Sequence, residues 1–80
     1  MHIAVDISLY PLAGEFIPPI RDFIDRLNRH EGLRVATNAM STQVSGEYTQ
    51  VMAALQAEIA RTFGERHRSV FVMKVLGGGD

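Results

Sequence analysis

The pattern of this 80-residue chain predicts an α+β domain with four antiparallel strands and two helices, in the order β-α-β-β-α-β. Three observations carry that reading. His2–Tyr10 alternates strictly between apolar and other residues. Two segments, one after Pro18-Pro19 and one from Tyr48, place apolar residues at helical spacing. Ser69–Leu76 is rich in β-branched and aromatic side chains and has no helical period.

In the first segment Ile3, Val5, Ile7 and Leu9 point one way, while His2, Ala4, Asp6, Ser8 and Tyr10 point the other. A period of two over that length is a strand with one face in a core. Pro11 and Gly14 end it. Pro18 and Pro19 then fit the start of a helix, where the amides have no intrahelical acceptor to lose. Ile20, Phe23, Ile24 and Leu27 form its buried stripe, with Arg21, Asp22, Asp25 and Arg26 expected on the wet side. Gly32 is suited to the position beyond its C-terminus.

Leu33–Met40 reads as the second strand, with a link at Ser41 and a short third strand to about Ser45. Tyr48, Val51, Met52, Leu55, Ile59 and Phe63 trace the second helix, with Glu47 in its first turn suiting the dipole and Gly64 near its end. Ser69–Leu76 is the fourth strand, and Gly77–Asp80 is expected to be a flexible tail. Right-handed crossovers then give the ferredoxin-like arrangement: strand order 4-1-3-2, with both helices on one face.

Composition narrows the function. Apolar residues make up 46% and charged residues 21% of the chain, with a formal net charge of −1. That balance argues for a folded domain spanning 1–80 and against a nucleic-acid or anionic-membrane binder, which needs a basic excess. No cysteine is present, which excludes disulfides, thiolate metal sites and cysteine nucleophiles. No segment approaches the roughly 20 apolar residues of a membrane span, and no signal-peptide pattern opens the chain, so a cytoplasmic protein is expected. His2, His30 and His67 lack metal-ligand spacing, and no metal or cofactor is expected. No nucleophile elbow or paired base marks an enzyme.

The helix-free face of the sheet is the informative one. It should carry Ala4, Asp6, Ser8 and Tyr10 from the first strand, and Ala36, Asn38 and Met40 from the second. Gln43 and Ser45 follow from the third, and Val70, Val72, Lys74 and Leu76 from the fourth, with Phe71, Met73 and Val75 core-facing. A solvated antiparallel face is mostly polar; an apolar one on so small a domain marks a partner surface. A homo-oligomer packed through this face is expected.

Ser8-Leu9-Tyr10-Pro11-Leu12 with Phe16-Ile17-Pro18-Pro19-Ile20, the segment Thr37-Asn38-Ala39-Met40-Ser41-Thr42-Gln43-Val44-Ser45-Gly46-Glu47-Tyr48, and Val70–Leu76 together resemble the YkoF-like family. The resemblance covers nearly the whole chain. It implies a ferredoxin-like unit without catalysis that binds thiamine or its hydroxymethylpyrimidine moiety, built as tandem repeats or as single-unit tetramers. With one unit present, a homotetramer is expected to replace the tandem repeat.

A 4-aminopyrimidine presents an amino donor beside a ring-nitrogen acceptor, an edge that the carboxamide of Asn38 or Gln43 can match. Tyr10 and Met40 supply walls for a flat ring. Asp6 or Glu47 offers a countercharge for a thiazolium, and Ser8, Ser41 and Thr42 complete a polar shell. Each has a structural alternative. Asn38, Ser41 and Thr42 are turn formers, Gln43 suits a wet strand, Glu47 suits a helix start, and Tyr10 suits an interface. Asp6 on a central strand needs a partner, which Lys74 on the neighbouring strand provides. A pocket of about 300 Å³ is hard to enclose in one thin domain, so the site is expected where subunits meet. A structural or regulatory module without a ligand is the competing reading. An acylphosphatase-type enzyme ranks third, since no phosphate loop with a positioned arginine is visible.

Overall fold

A computed structural model describes residues 1–12, 14–15, 17–65 and 68–78. Phe16 of the family-like segment, His67, and Gly79 and Asp80 of the expected tail lie outside the described residues. The elements are β1 (His2–Pro11), α1 (Ile17–Asn28), β2 (Arg34–Thr37), β3 (Thr42–Glu47), α2 (Tyr48–Gly64) and β4 (Ser69–Leu76). They form one antiparallel sheet in the order β2-β3-β1-β4, the expected ferredoxin-like α+β arrangement.

Alternation in β1 sets the layers. Ile3, Val5, Ile7 and Leu9 are all buried, and Val44 of β3, Phe23 and Leu27 of α1, and Val51 and Leu55 of α2 close the core around them. Gly46 is required where β3 passes under α2. Its φ is +156°, and a Cβ there would lie 3.2 Å from the Gly32 carbonyl oxygen and 3.4 Å from Val51 Cγ2. Glu47 is the N-cap of α2 rather than a first-turn residue, its carboxylate accepting from the Thr49 N–H at 2.9 Å. The Tyr48 N–H donates to the Met1 carbonyl, tying the start of α2 to the start of β1.

Three further expectations need correction. β2 is shorter than Leu33–Met40 because residues 38–41 turn away from the sheet. Met73 and Val75 alternate toward the helix side as expected, but remain 41% and 49% exposed. Phe63 at the end of α2 is also half exposed, in edge-on contact with Phe71 of β4. β4 is the outermost strand, and of its helix-side residues only Phe71 packs on the core, 4.9 Å from the Phe23 ring.

The third correction is Arg26, expected on the wet side and found 4% exposed. It lies between the helices, donating to Asp22, to the carboxylate and carbonyl of Glu58, and to Thr62 Oγ1. The other Glu58 oxygen pairs with His30 Nε2 at 2.7 Å. Arg26 falls three residues after Phe23, at the margin of the buried stripe. Partial burial pushes the Glu58 carboxyl up, but hydrogen bonds from His30 and Arg26, with the charge of both, outweigh it and hold it below the usual 4.5. A carboxyl lowered by folding stabilises the fold above its unfolded pKa, and that stabilisation is lost as pH falls through the folded value. Thermal melts are therefore expected to be flat with respect to this group from neutral pH down to about 5, and to fall below it. Glu58→Gln will melt lower at pH 7 and show a shallower acid limb.

Candidate functional site

The β1 strand carries Asp6 on the helix-free face, between β3 and β4. Its Cα partners are Gln43 on one side and Lys74 on the other. This central position fixes the carboxylate from both flanks. Asp6 Oδ1 accepts from Ser41 Oγ and from Gln43 Nε2, the latter at 2.7 Å. Gln43 Nε2 also donates to Ser41 Oγ at 2.8 Å. Lys74 Nζ stands 3.9 Å from Asp6 Oδ2, the pairing expected from strand order, though loose and at a lysine that is 83% exposed. Hydrogen bonds from Ser41 and then Gln43, helped by Lys74, hold the Asp6 carboxyl below its usual range against the opposing effect of desolvation. The group is an anion at neutral pH.

Asn38 organises the loop. Its Oδ1 accepts from the Met40 and Ser41 N–H groups, an Asx-type turn, while the Asn38 N–H donates to the Ser41 carbonyl. The Asn38 side-chain amide reaches Gln43 Oε1 at 3.4 Å. The turn reading of this residue is thus what its side-chain oxygen does, and the turn delivers Ser41 to Asp6.

The structure therefore brings together Asp6, Ser41, Gln43 and Asn38. Ser8, the next outward residue on β1, joins Asp6, Tyr10, Met40, Ser41, Val72, Met73 and Lys74 around a shallow hollow of about 340 Å³. Tyr10 and Met40 are 52% and 85% exposed at its rim. Two expected residues stand apart. Thr42 is buried, because it shares the helix-side parity of Val44, and its hydroxyl lies 3.1 Å from that of Thr37. Glu47 lies at the far end of β3 opposite His2, four residues along β1 from Asp6, or about 13 Å at strand rise. Lys74 belongs in the cluster, although sequence reasoning placed it only as a structural partner of Asp6.

A second hollow of about 400 Å³ lies beneath the same loop, on the other side of β1, where Leu9, Ile20, Phe23, Ile24 and Thr42 line it. Met40 and Ser41 of the loop, with Ser8 and Tyr10 of β1, line both. Among the described residues no group of three or more His, Asp or Glu side chains is placed to hold a metal ion. Among the described residues no helix is long and apolar enough to cross a membrane.

No curated protein matches this chain. Solved structures do. MJ1052 of Methanocaldococcus jannascii, a hypothetical protein, superposes with a TM-score of 0.83 at 21% identity, covering 99% of this chain and 82% of its own. TM0486 of Thermotoga maritima, named as a candidate thiamine biosynthesis/salvage protein, gives 0.71 at 20% identity over 98% of this chain and 85% of its own. A domain of unknown function, DUF77, from Bacillus cereus gives 0.70 at 15% identity, covering 96% and 76%. At these identities the likeness is one of fold. The family follows from the sequence itself: the model of the family described as "Thiamine-binding protein" matches residues 5–76, across both the Asp6 strand and the Asn38–Gln43 turn, and the chain belongs to that family.

Proposed function

We propose that this protein is a non-catalytic, cytoplasmic binder of the hydroxymethylpyrimidine moiety, free or within thiamine. The ligand sits on the Asp6–Ser41–Gln43 cluster of the helix-free face, in a homotetramer that stacks these faces and closes the hollow. One observation carries the reading: an ionised aspartate is held beside amide and hydroxyl donors on the helix-free sheet face, in a chain of this family. The 4-amino group of the pyrimidine donates to Asp6 Oδ2, the oxygen that Ser41 and Gln43 leave to Lys74 alone. The adjacent ring nitrogen accepts from Gln43 or Ser41, which exchange an internal hydrogen bond for one to the ligand. Tyr10 and Met40 cover the ring faces. Lys74 competes for the same carboxylate as a thiazolium would, which favours the neutral pyrimidine as the recognised part.

The stacked face has a physical basis in Ala4, Ala36, Val70 and Val72, which give the sheet a dry centre around the cluster. At about 340 Å³ the hollow is the size of a small-ligand site but open on one side, so an opposing sheet completes its enclosure. Isothermal titration with hydroxymethylpyrimidine, thiamine and an unrelated pyrimidine tests the proposal. Saturable heat with the first two and none with the third is expected. Silence with all three, together with an unchanged melting temperature at millimolar ligand, would leave the face as a ligand-free assembly surface. Asn38→Ala removes the acceptor of two turn N–H groups and is expected to weaken binding by roughly 5–10-fold, the scale of lost local hydrogen bonds. Native mass spectrometry should show its subunit number unchanged.

A further inference from the structure

The amino-bearing carbon of a hydroxymethylpyrimidine has a ring nitrogen on one side and the carbon that carries the methylene on the other. The helix-free face repeats that order across three strands. Asp6 of β1 stands between Gln43 of β3 and Lys74 of β4, each its direct Cα partner. With neighbouring strands about 4.8 Å apart, the two flanking residues lie about 10 Å from each other, room for such a ring edge and its side groups. With the amino group on Asp6 Oδ2 and the ring nitrogen on the β3 donors, the methylene is carried to the β4 side. Lys74 stands there.

The two flanks are not interchangeable. On the β3 side the space is taken: Ser41 Oγ and Gln43 Nε2 bond to each other and to Asp6 Oδ1, and the Asn38 amide reaches Gln43 Oε1 from the turn. The β4 side is open. β4 is the outermost strand among the described residues, and Lys74 with its same-face neighbours Val72 and Leu76 is exposed. Lys74 is the one charge in β4, and it lines the hollow. Its Nζ stands 3.9 Å from Asp6 Oδ2, too far for a hydrogen bond. A cation so loosely held keeps its donors for a group that arrives beside Asp6, and the amino group of the ligand takes the oxygen it faced.

We propose that Lys74 makes the site select by the charge on the methylene, and that its preferred ligand is an anionic phosphate ester of the hydroxymethylpyrimidine. The inference rests on the pyrimidine reading above and names the ligand class within it. A phosphate on the methylene brings acceptor oxygens within reach of a flexible ammonium, which binds phosphate as a point charge. Asp6 opposes the same anion, but its carboxylate is fixed by β1 and lies across the amino group. At contact, about 3 Å, Lys74 attracts the phosphate about twice as strongly as Asp6 repels it from about 6 Å, since Coulomb energy falls inversely with distance. A thiazolium on the methylene reverses both signs. An alcohol carries no charge and takes neither.

Titration calorimetry of the full chain with the alcohol and with its phosphate ester reads the ratio of the two affinities, with inorganic phosphate as the control. At low salt the ester is expected to bind roughly 5–10-fold more tightly than the alcohol, the scale of a charge-assisted contact open to water. That ratio should shrink as salt is raised. Lys74→Gln should bring it close to one. Lys74→Glu should take it below one and raise the affinity for thiamine relative to the alcohol. Circular dichroism melts confirm that each variant remains folded. An ester that binds no more tightly than the alcohol overturns the role of Lys74 and leaves the pyrimidine reading in place. Silence with both compounds overturns the two together. Inorganic phosphate binding as tightly as the ester would reduce the effect to plain ion pairing at an exposed lysine and also overturns it. Arg34 lies on the same face, opposite Ser45 and two residues along β3 from Gln43. A ratio that survives Lys74→Gln and is lost in Arg34→Gln would turn the ring round, its methylene toward β2, and the assignment to Lys74 would be wrong.

Discussion

Asp6→Asn is expected to lower affinity for hydroxymethylpyrimidine by roughly 10–100-fold, the scale of a hydrogen bond to a charged group. The substitution keeps shape and leaves an amide oxygen that Ser41 and Gln43 can still reach. It removes the negative charge that an amino donor prefers, and it turns one oxygen of the pair into a competing donor. Lys74 loses the carboxylate it faces but is exposed enough to turn to solvent, so the melting temperature should move little. Titration calorimetry on wild type and variant at neutral pH measures the ratio. Equal affinities would remove Asp6 from the site, and a collapse in melting temperature would make the residue structural.

The largest effect on stability is expected on the opposite side of the molecule. Arg26→Ala deletes the donor to Asp22, Glu58 and Thr62 together and leaves the Glu58 carboxylate, at 14% exposure, with His30 as its remaining ion-pair partner. Breaking a buried pair from one side costs about 3–5 kcal/mol, a large share of the stability of a domain this small. At 4–8 °C per kcal/mol, a drop of roughly 12 °C or more in melting temperature follows. Arg26→Met with Glu58→Leu should recover most of that loss, because neither half of the pair is then left uncompensated. If the double variant melts as low as the single one, the contribution of Arg26 lies in its hydrogen bonds to Thr62 and the Glu58 carbonyl, which methionine cannot make, rather than in compensating the Glu58 charge.

The fold was readable because β1 keeps its alternation for its whole length and both helices keep their stripes, so period alone separated the elements. What period does not encode is how far the helices extend over the sheet. Met73 and Val75 have the parity of buried residues and are not buried, since they lie on the outermost strand. Arg26 shows the converse: its residue type pointed to solvent, and the partners that overruled it lie 32 and 36 residues away. In the site, Asp6, Ser41 and Gln43 come together as strand order dictates, with Gln43 directly opposite Asp6. Asn38 was assigned to a strand because apolar neighbours continued the alternation, whereas its short side chain satisfies two backbone amides and ends β2 early. Thr42 was misplaced for a simpler reason, since counting two residues back from buried Val44 puts it on the helix side.

The division of labour between strand and turn has a practical outcome. The acid that would grip a ring edge is built into a strand paired on both sides, while Met40 and Ser41 in the wall of the hollow belong to a turn held by Asn38. Saturation substitution of Met40 alone would change the shape and polarity of that wall without touching the sheet. Such a scaffold lends itself to being retuned from one heterocycle to another, as a sensor or capture reagent, with the anchoring charge left in place.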